Sequence, residues 1–196
     1  MILSEICSIA TGYTTRGRLE PAQSGGSLAI QMRDVQEGRG LDTDNLQRCK
    51  FDTPVERYLV HGGEIIFKSR GESNTAMAIE QLSEPAVAIL PLFILRPKDD
   101  VVLPDYLAWA INQRETQRRL DAEAQGTGVR MISKSTLERI ELPLPDIETQ
   151  RLIVAIADLA YREGALLQEL ANRREQLSSL ILAKCARKSR KKETRQ

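Results

Sequence analysis

Apolar residues in the first hundred positions occur in short runs that alternate with polar residues or form brief continuous stretches. Runs of this kind, bounded by glycine and proline, predict β-strands. Residues 36–57 are polar and weakly patterned, which predicts a long loop. The predicted strands are Leu28–Val35, Glu64–Ser69, Thr75–Leu82 and Val87–Arg96.

The pattern becomes helical after residue 103. Pro104 suits the first turn of a helix, where its missing N–H is not needed. The helix predicted over 104–122 has an apolar stripe formed by Tyr106, Leu107, Ala110 and Ile111, and we expect Trp109 to join it in the core. Further on, Ser133 is expected to cap a short helix over 133–139, and Ile140–Leu144 to form a strand.

One long helix is predicted for the C-terminal part. Asp146 suits its N-cap, and from Ile147 to about Lys184 no proline interrupts it. At about 1.5 Å per residue this helix is about 60 Å long. The predicted fold class is α+β. A β-rich domain with packed helices occupies 1–146, a coiled-coil helix 147–187, and a basic tail 188–196 that is either disordered or in nonspecific contact with phosphate.

Apolar residues of the long helix recur at alternating intervals of four and three, the pattern of a coiled-coil seam. Seven of ten seam positions are apolar, and Lys184 completes the series. A partner helix is therefore expected along this seam. The predicted seam residues are Leu152, Ile156, Leu159, Glu163, Leu166, Leu170, Arg173, Leu177 and Leu180.

The charged seam positions favour an antiparallel pair of two copies. With the two-fold centre at Gln168, Leu166 faces Leu170, and Glu163 faces Arg173 twice. A parallel in-register pair would instead place like charges against each other, which is unfavourable. The alternative is that Glu163 and Arg173 extend their charged ends past a seam that packs on another protein.

Charge is distributed unevenly along the chain. Seven basic residues and one acid from Lys184 onward give +6 against a total of +1, which leaves −5 for residues 1–183. A nucleic-acid site in that part is therefore expected to be a local patch. The scattered cysteines Cys7, Cys49 and Cys185 fit reduced thiols, so we expect a cytoplasmic protein without signal peptide or membrane span.

The sequence offers no spaced set of catalytic residues. His61 is the only histidine, and beside Gly62 and Gly63 we expect an ordinary turn residue. No zinc site is predicted, because there is neither a second histidine nor a cysteine pair at ligand spacing. The GxxxxGK[ST] and GxSxG motifs are absent, as is an aromatic N/D-P-P-Y/F motif. We therefore predict no metal, no cofactor and no catalysis by this chain.

Polar clusters beside glycines are the candidates for DNA contact, because donors and acceptors read base edges while phosphate contacts position the protein. Structural explanations compete with this one. Lys68 and Arg70 could point outward from a strand, Arg33, expected on a strand, could pair with Asp34, and 126–128 could be a turn. The candidate residues are Thr15, Arg16, Arg33, Lys68, Arg70, Asn74, Thr127, Arg130 and Lys134.

An ordered set of segments resembles the specificity subunit of type I restriction–modification enzymes. "IATGYTTRG" (9–17) and "IQMRDVQEGRGLD" (30–42) resemble the start of its target-recognition domain. The later segments are "GGEIIFKSRGESN" (62–74), "PLFILRP" (91–97), "LPDYLAWAINQ" (103–113) and "GTGVRMISKSTLERIELPLPDIETQRLIVAI" (126–156). The usual chain of the family has two recognition domains and two long helices, whereas this sequence has one of each and looks like a half-length form.

The resemblance implies a function and a set of partners. In the family, paired antiparallel helices separate two recognition domains and dock methyltransferase subunits. We therefore predict a non-catalytic subunit that reads an inverted repeat in double-stranded DNA and directs a methyltransferase, and through it a restriction or translocase subunit, to that site. It would pair with a second copy or another half-specificity chain. The alternative is a coiled-coil assembly adaptor with weak, nonspecific DNA binding.

Overall fold

The chain divides into two units, Met1–Val154 and Ala155–Gln196. The computed structural model describes residues 1–15, 17, 19–22, 25–36, 40–71, 74–98, 101–124 and 130–193, with side chains as far as 184 and at 186. The first unit contains two β-sheets and several helices, and the described part of the second is helical. The predicted α+β class is confirmed. The predicted domain boundaries stay a prediction.

The first sheet is antiparallel throughout. Ile65, Ile66 and Phe67 are all buried, because successive side chains of a strand point to opposite faces and both faces of this sheet are covered. The strands lie in the order β1 (Cys7–Thr11), β8 (Leu92–Pro97), β5 (Ile65–Lys68) and β6 (Ala76–Ala78).

The second sheet is mixed and shares an apolar core with the first. Leu28 and Ile30 of this sheet belong to the same buried cluster as Ile66 and Ile94 of the first. Its order is β3 (Gln47–Cys49), β2 (Ser27–Ile30), β7 (Ala86–Ala88) and β4 (Leu59–Val60), with β2 and β7 parallel.

Helices pack on the other face of the first sheet. Phe67 and Leu95 share a buried cluster there with the predicted stripe of Tyr106, Leu107, Ala110 and Ile111, and Trp109 is half-buried against it. Pro104 occupies the first turn and Ser133 Oγ accepts from Thr136 N at 3.0 Å, both as predicted. The helices are α1 (Leu3–Ile6), α2 (Pro104–Asn112), α3 (Arg114–Glu123) and α4 (Lys134–Glu138).

Two predicted elements are each divided in the structure. The helix predicted over 104–122 is α2 and α3, because Gln113 between them takes an extended conformation with φ −62° and ψ 141°. The strand predicted over Val87–Arg96 is β7 and β8, which belong to different sheets. The turn between these strands contains a cis peptide bond, Leu90–Pro91.

Four other predictions were wrong in extent. The strand predicted over Thr75–Leu82 is only β6, Ala76–Ala78. The strand predicted over Leu28–Val35 ends at Ile30, and Met32–Asp34 forms a 3-10 helix because Asp34 Oδ2 accepts from Gln31 N at 2.8 Å. The strand predicted over Ile140–Leu144 is only a bridge between Glu141 and Ile2. The predicted loop 36–57 contains β3 and the 3-10 turn Thr43–Asn45.

The long helix α5 spans Ile147–Glu193, 47 residues. Its start is capped as predicted, because Asp146 Oδ1 accepts from Thr149 N at 2.9 Å. The helix continues past Lys184 into the segment assigned to the tail. Among the described residues, no helix combines the length and apolar character that crossing a membrane requires.

Candidate nucleic-acid interface

A cleft of about 610 Å³ lies just beyond the end of β2. Thr15 and Arg33, both predicted to contact DNA, line it together. It therefore contains a hydroxyl, a guanidinium, a carboxylate and two amides, and these are the donors and acceptors that readout of base edges requires. The other lining residues are Gly17, Leu19, Glu20, Pro21, Gln31, Gln47 and Ile89.

Gln47 orients the polar side chains of this cleft. Its Oε1 accepts from Arg33 Nη2 at 2.8 Å and from Gln31 Nε2 at 3.4 Å. Arg33 also lies 3.7 Å from Asp34, but an ion pair this exposed contributes little. Arg33 is on a 3-10 helix and not on the expected strand, and 63% of its side chain remains exposed to a ligand.

A second group of basic side chains forms where two distant segments meet. Arg70 and Met131 make an isolated antiparallel bridge, and Ile132 N donates to Ser69 O at 2.8 Å. Arg130 directly precedes the residue that pairs with Arg70, and Arg70 and Arg130 are both exposed. Two clusters that were separate in the sequence thus meet at one backbone bridge, which we call the basic bridge: Arg70, Arg130 and Met131.

The turn Ile89–Pro91 connects the cleft to the basic bridge. On one side, Ile89 lines the cleft and Leu90 N donates to Tyr13 O at 2.9 Å. On the other side, Pro91 O accepts from Ser69 Oγ at 2.6 Å and from Ser69 N at 3.1 Å. The cleft and the basic bridge are therefore linked through this one turn of Met1–Val154.

The remaining DNA candidates differ in how accessible they are. Asn74 is only 4% exposed, and its Nδ2 donates to Lys68 O at 3.1 Å, so it holds the segment that precedes Gly71. Lys68 is half-buried, and Lys134 is 3.5 Å from Glu138 on the surface of α4. Arg16 and Thr127 lie outside the described residues.

The described cysteines are placed as structural residues. Cys7 and Cys49 are buried free thiols. Burial raises the pKa of Cys7 to about 12 and also raises the pKa of Cys49, so both stay protonated. Among the side chains that the structure describes, no group of three His, Cys, Asp or Glu could hold a metal ion.

Three polar residues of the cleft were not predicted from the sequence: Glu20, Gln31 and Gln47. Gln31 lies within the predicted strand, and Gln47 and its three-residue strand lie in the predicted loop. A strand of three residues is too short for its period to be seen. The available signal was the position of Gln31, two residues before Arg33 and within the segment 30–42.

The predicted seam residues of α5 are exposed in the single chain. Each of the seven Leu and Ile side chains is more than half exposed, from 55% for Leu170 to 69% for Leu180. Arg173 makes an ion pair with Glu169 of the preceding turn at 2.5 Å. A row of large apolar side chains with this exposure marks an interaction surface.

A family model described as the type I restriction modification DNA specificity domain matches residues 1–173. The chain belongs to this family. The predicted resemblance is thereby confirmed. No curated protein matches the sequence.

Three solved structures are similar in fold. The HsdS subunit from Thermoanaerobacter tengcongensis is 21% identical with a TM-score of 0.64, and 86% of this chain covers 38% of that one. A chain from a study of complex assembly and conformational transition of the type I R-M system is 20% identical with a TM-score of 0.69, and 91% of this chain covers 42% of that one. The S subunit from M. genitalium is 13% identical with a TM-score of 0.55, and 81% of this chain covers 37% of that one. This specificity domain thus spans about two-fifths of each matched chain.

Proposed function

We propose that the chain is a sequence-specific DNA-binding subunit that reads one half of a bipartite site and directs a methyltransferase to it. The observation that supports this most is the link between the cleft and the basic bridge through the turn Ile89–Pro91. Arg70 and Arg130 supply positive charge for phosphates, while Glu20, Gln31 and Arg33 supply groups that match base edges. The chain itself provides binding and no catalysis.

A second part of the proposal is that two copies pair through α5. Removing seven exposed Leu and Ile side chains from water would favour association, at about 25 cal/mol per Å² of apolar surface. In the antiparallel register centred at Gln168, Glu163 faces Arg173 of the other copy. Giving up the contact of Arg173 with Glu169 costs little, because that pair is exposed.

Pairing through a two-fold axis has a consequence for the target. Two identical readers related by such an axis match two identical half-sites in opposite orientation. The expected site is therefore an inverted repeat whose two halves are separated by a spacer of nonspecific sequence. Partners would be double-stranded DNA, a methyltransferase subunit and, through it, a restriction or translocase subunit.

Selection of bound duplexes from a random pool tests this function. The full chain together with its methyltransferase subunit would be incubated with the pool at fixed salt, and bound sequences would be counted. We expect enrichment of an inverted repeat. The variant Arg70→Ala should weaken binding and reduce the salt dependence of the binding constant by about one counterion.

A matched variant, Arg118→Ala, changes an exposed arginine of α3 and should leave binding unchanged. An asymmetric enriched motif would contradict the homodimer and favour pairing with a different half-specificity chain. Binding without sequence preference that is lost at moderate salt would contradict the specificity function and favour the coiled-coil adaptor.

A further inference from the structure

Exposed apolar side chains occur on the proposed DNA surface, beside the charged ones. Among the described residues of 1–146, the large apolar side chains that are exposed are Met1, Met32, Leu90 and Met131. Leu90 is 41% exposed and Met131 is 45% exposed. Apart from Met1, all of them lie on the segments that form the cleft, the turn Ile89–Pro91 and the basic bridge.

The order of these residues follows from backbone contacts. Met131 is bridged to Arg70, whose neighbour Ser69 contacts Pro91 O. Leu90 precedes Pro91, and Ile89 N donates to Ile30 O at 2.9 Å, two residues before Met32. The three apolar side chains are therefore carried by consecutive, hydrogen-bonded segments, with Leu90 on the middle one.

The turn that carries Leu90 is held firmly. Leu92 N donates to Ile89 O at 3.0 Å, and Leu90 N donates to Tyr13 O at 2.9 Å. The turn also packs closely on Gly12, where an added Cβ would be 2.8 Å from the carbonyl oxygens of Ala88 and Leu92. A side chain held in this way is suited to a specific contact, because little conformational freedom is lost on binding.

The surroundings indicate what Leu90 would contact. The exposed guanidinium groups of Arg70, Arg130 and Arg33 lie on the same segments, which suits a polyanion better than an apolar protein surface. In the major groove, the apolar feature of a base edge is the C5-methyl group of thymine. We infer that Leu90 is a specificity-determining residue that reads a thymine methyl group in the half-site.

This inference rests on the proposed function and can be tested separately from it. Each thymine of the selected duplex would be replaced in turn by deoxyuridine, which removes only the C5-methyl group. Binding of the labelled duplexes by the full chain with its methyltransferase would then be measured by fluorescence anisotropy. At one thymine or more in each half-site, we expect deoxyuridine to weaken binding about fourfold, the effect of one buried carbon group.

The second test measures binding of the same duplexes by the variant Leu90→Ala. This substitution should weaken binding of the thymine duplex by a similar factor and abolish the difference between thymine and deoxyuridine at that position. Leu90 is exposed, so the variant is expected to fold, and an unchanged melting temperature checks this. Leu182→Ala, at another exposed position outside the predicted seam, is the matched control.

The outcomes separate the two ideas. If no duplex is selected, the proposed function fails and the inference fails with it. If a site is selected but contains no thymine, or if no deoxyuridine substitution weakens binding, only the inference is overturned. Equal loss of thymine and deoxyuridine binding by Leu90→Ala also overturns it, because the side chain would then act without reading the methyl group.

Discussion

Both polar atoms of the Gln150 side chain make hydrogen bonds within the protein. Gln150 is fully buried in the first turns of α5. Its Oε1 accepts from Leu103 N at 2.9 Å, and its Nε2 donates to Val101 O at 3.1 Å and to Pro145 O at 2.9 Å. One amide thus satisfies three backbone groups from two segments, and it attaches the start of α5 to the residues before α2.

Replacing Gln150 by Leu should lower the free energy of unfolding by about 2–4 kcal/mol, because three partly buried backbone groups would lose their partners. Urea unfolding followed by circular dichroism measures this change. Gln81→Leu, at an exposed position, should change the same quantity by less than about 0.5 kcal/mol. Equal effects of the two substitutions would show that the buried amide has no special role.

Asp146 should make stability depend on pH in acid. The N–H and the hydroxyl of Thr149 donate to its carboxylate, and these hydrogen bonds lower its pKa. Because the native pKa lies below the unfolded value, this stabilisation is present above pH about 3.9 and is lost as pH falls through the lower native value. Asp146→Ala should lower the melting temperature at pH 7 by roughly 2–4 °C.

Asn is the matched substitution at this position, because it caps a helix without a titratable group. Asp146→Asn should therefore retain most of the melting temperature at pH 7 while losing the acid-dependent component. Melting curves recorded from pH 7 down to pH 3 compare the three proteins. The capping role would be contradicted by an Ala variant that melts like the original protein at neutral pH.

Among the elements, α5 has a pattern that specifies both a partner and a direction. In the proposed pairing, seven exposed apolar positions would provide the attraction, and Glu163 and Arg173 would determine the register. Glu163→Arg should weaken self-association on the order of tenfold, since each attractive pair becomes a repulsive one. Adding Arg173→Glu should restore it. Sedimentation velocity at several concentrations and low salt measures both effects.

Glu175→Arg is the control for net charge, because Glu175 is exposed but lies outside the predicted seam. It should leave self-association nearly unchanged. A chain that remains monomeric at micromolar concentration would refute self-pairing. Failure of the double variant to recover would refute the antiparallel register while leaving open that the seam packs on another protein.

For the whole molecule, the sequence predicted the elements whose periodic pattern was long. These include the apolar stripe of α2, and α5 with its cap at Asp146. Local patterns also located Ser133 as a cap. Each of these depends on residues close together in the chain, where propensity and period give a direct signal.

What the sequence could not provide depends on pairing between distant segments. The run Val87–Arg96 looked like one strand, but its two halves join different sheets. The three-residue strand that positions Gln47 has no visible period. The contact between Arg70 and Met131 involves no local pattern, so two candidate clusters appeared separate. The cleft and its link to the basic bridge were therefore outside what periodicity could predict.

The bridge between Arg70 and Met131 also limits how target preference could be transferred between relatives. A graft that exchanged only the segment around Arg70 would have to pair with an unmatched strand at Met131, and Ser69 would lose its register with Ile132. Both segments would have to be exchanged together for the transplanted surface to keep its shape. Natural recombination that replaces one continuous block is thus expected to be productive only when the block includes both sides of this contact.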